Sequence, residues 1–205
     1  MFVVSPPPVF IPNTNLEEVW DIFVDFPNYH LWSKSMPEVQ IINRERRIGN
    51  GTKLKLTVQF GSKRRVSFDR ITVFSPPTST RTAAVAWDFD DEQMRLGSGY
   101  KTHFLRTFKE EVAPDGTLGV LMTSYCRFDG FIGDLAGVFV KGDIKTLISN
   151  VALELTEYVC SRRDYGVVHI PRTYTPQSGR SDSLDLRHWS YTSNSSQNSH
   201  SRASY

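Results

Sequence analysis

Eight residues set the terms for this chain: Lys53-Leu54-Lys55-Leu56-Thr57-Val58-Gln59-Phe60 alternates polar and apolar side chains. Period two places Leu54, Leu56, Val58 and Phe60 on one buried face of a strand. Gly61-Ser62-Lys63 then turns the chain into a second strand reaching about Phe74, which Ser75-Pro76-Pro77 ends. Further strands are expected from Arg81 to Trp87, over about Tyr100–Glu111 and over Leu118–Phe128. The last two are joined by the turn Pro114-Asp115-Gly116. The connections are too short for crossover helices, so the sheet is expected to be an antiparallel meander.

Helices flank this run. Asn13 or Thr14 can cap a first helix in which Leu16, Val19, Trp20 and Phe23 share one side, and Pro27 stops it. A second helical turn is expected within Asn28–Met36, closed by Pro37. The last element is a long helix within Gly133–Ser161, where Val140, Ile144, Leu147, Ile148, Val151, Leu155 and Tyr158 form an apolar stripe. Gly137 and Gly142 cost about 1 kcal/mol each in a helix interior, so a break before Asp143 is expected. The fold class is α+β: a curved antiparallel sheet of six to seven strands around a long C-terminal helix, with two short helices near the N-terminus.

Charge and composition exclude several roles. Of the 205 residues, 24 are basic and 22 acidic. Five arginines and three aspartates lie beyond Arg162, so the whole excess of +2 belongs to the end of the chain and residues 1–162 are neutral. A neutral body lacks the basic footprint of a nucleic-acid binder. No apolar run approaches the roughly 20 residues of a membrane span. The N-terminus has neither a basic region nor an adequate hydrophobic segment, so no signal peptide is expected and the location is read as cytoplasmic. Two cysteines, Cys126 and Cys160, cannot build a disulfide scaffold or a four-cysteine zinc site. Residues 1–162 read as one domain. Residues 163–205, rich in Ser, Asn and Arg, read as a mostly disordered tail that cannot bury enough apolar area to offset its ordering entropy.

The element order and several segments resemble the START/Bet v 1-like (helix-grip) superfamily, especially its polyketide cyclase/dehydrase-type branch. The opening segment Pro12-Asn13-Thr14-Asn15-Leu16-Glu17-Glu18-Val19-Trp20-Asp21 carries it, followed by Asp25-Phe26-Pro27-Asn28-Tyr29 and Trp32. So do Val85-Ala86-Trp87 in mid-sheet, Gly116-Thr117 with Arg127-Phe128-Asp129-Gly130, and the closing Asn150-Val151-Ala152-Leu153-Glu154 through Glu157. The resemblance covers about residues 3–160. It implies a helix-grip fold with an apolar cavity between sheet and helix. Such proteins bind lipids, hormones, polyketides and other hydrophobic molecules; some catalyse cyclisation, dehydration or isomerisation, and others carry or sense a ligand.

The site must separate these classes, and no HExxH, GxSxG, Walker or GxGxxG motif helps. The residues expected to line or support the cavity are Leu54, Leu56, Val58, Phe60, Val85, Trp87, Phe104, Met122, Cys126, Phe128, Ile144, Leu147 and Val151. Four residues are catalytic candidates. Arg106, in register with Thr102 and Phe104, projects inward unless a bulge turns it to solvent; inward, its charge requires Asp25, Asp88, Asp129 or a ligand oxygen. Tyr100 and Tyr125 offer phenolic donors, or are ordinary half-buried sheet tyrosines. His30 is a general base at the cavity mouth, or a surface histidine of a helical turn. His103 is expected to face outward, and two separated histidines give no metal site. Cys126, a lone thiol among apolar neighbours, reads as inert. No cofactor is expected. The expected partner is a hydrophobic small molecule, handled by a cofactor-independent cyclase, dehydratase or isomerase, or alternatively by a non-catalytic carrier.

Overall fold

The computed structural model describes residues 1–43, 47–90, 101–129 and 131–164, without the side chains of 131–140 and 164. All of them fall within the compact unit Met1–Arg172. The elements run β1 (Phe2–Val4), β2 (Val9–Pro12), α1 (Leu16–Val24), a 3-10 helix (Phe26–Leu31), β3 (Glu38–Ile41) and β4 (Lys53–Phe60). There follow β5 (Lys63–Ser75), β6 (Thr82–Phe89), β7 (Lys101–Val112), β8 (Leu118–Asp129) and a long helix, α2 (Phe131–Asp164).

The strands form one antiparallel sheet in the order β1-β8-β7-β6-β5-β4-β3, with β2 also on β8. From β3 to β8 this is the expected meander. Strands β1 and β2 lie along the same edge of β8, with Phe2 opposite Phe128 and Val9 opposite Met122. Between them Ser5-Pro6-Pro7-Pro8 interrupts the ladder, because three successive prolines have no N–H to donate. One physical edge is thereby split into two short strands, so the sheet is seven strands wide with eight segments.

Helix α1 is capped by Asn15, one residue after the expected positions: its Oδ1 accepts from the Glu18 amide at 2.8 Å. The expected second helix is shorter, a 3-10 turn with Pro27 in its first turn. Helix α2 runs unbroken from Phe131 to Asp164, through Gly137 and Gly142, where a break was expected. Ile144, Ile148, Val151, Leu155 and Val159 bury one stripe of it. Burial of about 1.5–3 kcal/mol per such side chain outweighs two glycine penalties of about 1 kcal/mol.

Register fixes the concave face. Leu54, Leu56, Asp69, Ile71, Val85, Trp87, Phe104, Arg106, Phe108, Met122, Ser124, Cys126 and Phe128 lie on it, by their pairing across β4 to β8. Helices α1 and α2 cover that face. The aromatics from α1 and the 3-10 helix pack into the core: Trp20, Phe23, Phe26 and Tyr29 are buried with Phe108. Phe23 packs at 5.0 Å from Phe108 and 6.0 Å from Tyr29. No described helix is long and apolar enough to cross a membrane. The expected tail lies, from Tyr165 on, outside the described residues.

Candidate functional site

Arg106 is the polar centre of the concave face. It sits on β7 opposite Val85 and Ser124, and it is 1% exposed. No bulge intervenes on β7, so alternation carries the side chain inward with Phe104 and Phe108. Its Nη1 donates to Ser124 Oγ at 3.2 Å and lies 3.7 Å from the Met122 sulfur. Its guanidinium carbon lies 5.5 Å from the centre of the Phe23 ring, a cation–π contact. Nε is buried without a hydrogen-bond partner, and none of Asp25, Asp88 or Asp129 supplies a counter-charge. Asp88 instead meets His103, with Nδ1 to Oδ1 at 2.6 Å. Asp129 meets Arg127, with Nε to Oδ2 at 2.8 Å. Burial pushes the Arg106 pKa down to about 10 against opposing contributions from Tyr29 and Cys126, so it remains a cation at neutral pH.

Around this cation the ionisable neighbours are held neutral. Burial raises the Tyr29 phenol above its ordinary value, although Arg106 pulls the other way, and its hydroxyl donates to the Phe23 carbonyl at 2.7 Å. Burial likewise raises the Cys126 thiol. Farther across the face lies Asp69 on β5, 4% exposed and opposite Leu54 and Phe89. Ser67 Oγ donates to its Oδ1 at 3.1 Å. Desolvation, with Asp88 and Asp90 nearby, outweighs that bond and pushes its pKa up to about 7.

The expected lining residues fall together on this face or on the stripe of α2 against it. Leu54, Leu56, Val58, Val85, Trp87, Met122, Cys126, Phe128, Ile144 and Val151 are buried. Phe60, Phe104 and Leu147 are half-buried. Phe60 and Phe104 each touch both apolar clusters of the interior.

The expected catalytic set does not converge. Tyr125 pairs with Leu105 and therefore faces the opposite side of the sheet from Arg106 and Ser124, because neighbouring residues of a strand alternate sides. His30 is exposed, its Nδ1 3.1 Å from the Pro27 carbonyl. It opens onto a groove of about 670 Å³ beside edge strand β3, lined also by Glu38, Thr57 and Arg64. The cavity-mouth assignment of His30 is corrected to that outer groove. Tyr100 lies outside the described residues. His103 faces outward beside Asp88 as expected.

Ser124, Tyr29 and Asp69 join the polar interior although no motif marks them. Asp69 had a legible signal. A two-residue turn at Gly61-Ser62 pairs Phe60 with Lys63, and that register puts Asp69 opposite Leu54 on the buried face.

No protein-family model matches the chain, and no curated protein sequence does. Solved structures do match. A START superfamily protein from Mycobacterium smegmatis superposes with a TM-score of 0.52 at 15% identity, over 78% of this chain and 97% of that one. The Zhui aromatase/cyclase from Streptomyces sp. R1128 gives 0.53 at 13%, over 79% and 95%. The chain has the START-like, helix-grip fold. A hypothetical protein from Helicobacter pylori matches similarly, at 0.55 and 12% over 77% and 87%. Helix-grip neighbours at such low identity establish the architecture, and the polar interior has to carry the function.

Proposed function

We propose that the chain binds a hydrophobic, oxygen-bearing small molecule on the concave face of the sheet and acts on it as a cofactor-independent cyclase, dehydratase or isomerase. The observation that carries this reading is Arg106: a fully buried guanidinium with one unpartnered nitrogen and no carboxylate beside it. An uncompensated buried charge costs on the order of several kcal/mol. A ligand carboxylate, carbonyl or enolate would supply the missing acceptor. The cation would then stabilise negative charge developing on that oxygen, in an interior from which water is excluded. Leu54, Leu56, Trp87, Phe104, Cys126 and Phe128 would bury the apolar remainder, with Ile144, Leu147 and Val151 closing the site from α2. That the Zhui protein is an aromatase/cyclase supports chemistry of this class on the same scaffold.

One observation favours the carrier reading. Beside Arg106, Tyr29 and Cys126 are held in their neutral forms and the Tyr29 hydroxyl is committed to the Phe23 carbonyl. Neither is then poised to shuttle a proton at the Arg106 end.

The test is to extract the small molecule that co-purifies with the protein, identify it, and incubate it with fresh protein. Catalysis predicts an isomer, or a product short of one water, whose formation Arg106→Met abolishes. Recovery of the molecule unchanged at every pH would establish the carrier.

A further inference from the structure

Strand β3 ends the sheet: β4 pairs with one side of it, and no described strand follows on the other. The ladder shows which of its backbone groups point outward. Ile42 donates to the Lys53 carbonyl at 3.0 Å. In an antiparallel pair such bonds recur at every second residue, so Gln40 and Glu38 also turn their backbone groups toward β4. Val39 and Ile41 therefore turn theirs to the open edge. Among the described residues, no backbone group outside the ladder bonds to them there. Their side chains pack with the core, so what they present at the edge is main chain.

Both residues line the groove of about 670 Å³ onto which His30 opens, and the 3-10 helix adds Pro27 to the same groove. Unused N–H and C=O groups along a groove are the requirement for strand addition, in which an extended segment continues the ladder. Charge indicates what such a segment carries. The acid lining the groove, Glu38, is engaged: it accepts from the Gln40 side chain and from Thr57 Oγ1 at 3.1 Å. Arg64 also lines the groove and is exposed; its Nε donates to the Gln59 side chain at 3.3 Å. Lys55, opposite Gln40, stands on the same outer face of the sheet as Arg64. Among the described residues no carboxylate pairs with either cation.

We propose that the β3 edge takes an extended segment of a partner protein as an added strand, with apolar residues opposite Val39 and Ile41 and acidic residues between them. Residues opposite Val39 and Ile41 share their face of the sheet and cover them. The residues between point to the outer face, toward Lys55 and Arg64. Two outward residues make a ladder of about four hydrogen bonds. The contact is therefore short and the binding transient, with a Kd on the order of 10–100 µM. The site lies outside the concave face and does not depend on what binds there.

The probe is a fluorescein-labelled Val-Glu-Val-Glu-Val amide, titrated with the full chain and read by fluorescence anisotropy. It is expected to bind about tenfold tighter than the same peptide with lysine in place of glutamate. Methylation of its valine amides, which face β3 in this register, should abolish binding. Arg64→Glu, at an exposed side chain, should remove the preference for the acidic peptide. Equal binding of the acidic and lysine peptides, undiminished binding of the methylated one, or no binding by the acidic peptide would each overturn the inference. In sedimentation velocity, a homodimer that the acidic peptide cannot dissociate would assign the edge to a second copy and overturn it as well.

Discussion

Arg106 is surrounded by a ring, a hydroxyl and a thioether, a set that holds a guanidinium without neutralising it. If the charge is kept for a ligand, removing it should help the empty protein. Arg106→Met is expected to raise unfolding stability by about 1 kcal/mol in urea titrations, since an unpaired buried ion is replaced by a side chain suited to an apolar interior. Asp69 leaves a different mark. Its folded pKa, about 7, lies above the roughly 4 of an ordinary aspartate, so between those values the native state holds the proton more tightly than the unfolded chain. Its contribution is therefore full below about pH 4 and is lost as pH rises through about 7. Asp69→Asn should flatten that stretch of the stability–pH curve, read from thermal melts at half-unit steps. Arg106 was legible in the sequence because its register with Phe104 needed only an unbulged strand. Tyr125 was legible as an outward residue too, because Met122, Cys126 and Phe128 on the lining side leave it on the other by alternation.

At the level of elements, a carboxylate of the closing helix ties it to the start of the sheet. Glu154 on α2 accepts from Ser33 Oγ at 2.8 Å, Ser35 Oγ at 2.8 Å and the Ser35 amide at 3.1 Å. It fixes the segment between the 3-10 helix and β3 against the helix. Glu154→Ala should destabilise the fold by about 2–3 kcal/mol and speed amide exchange at Ser35. A second fixed point is Gly119, where β2 pairs with β8. A Cβ there would collide with the Ile11 carbonyl oxygen and the Phe10 ring, so Gly119→Ala should cost about 1–3 kcal/mol by chemical denaturation. The sequence disclosed the long strands from their alternation, although β5 shifts register against β6 between Ile71 and Val73, and missed what depends on remote partners. Strand β3 is four residues at an edge, readable only beside β4. The continuity of α2 past Gly142 comes from burial against the sheet, which local propensity does not contain.

For the whole molecule, the order of strands and the grip of the closing helix followed from periodicity and short connections, and the START-like neighbours confirm that architecture. Function was less legible, for a physical reason. A cavity wall and a packed core use the same apolar residues, and one continuous cluster holds Trp20, Phe23 and Phe26 together with Leu54, Val85 and Trp87. What separates this interior from simple core is its pair of unneutralised polar groups, Arg106 and Asp69. The most direct test is native mass spectrometry of the full chain beside Arg106→Met, both purified from the same cells. A bound small molecule is expected on the unmodified protein, with a folded variant that lacks it. A folded, ligand-free unmodified protein, or an equal load on the variant, would contradict that expectation.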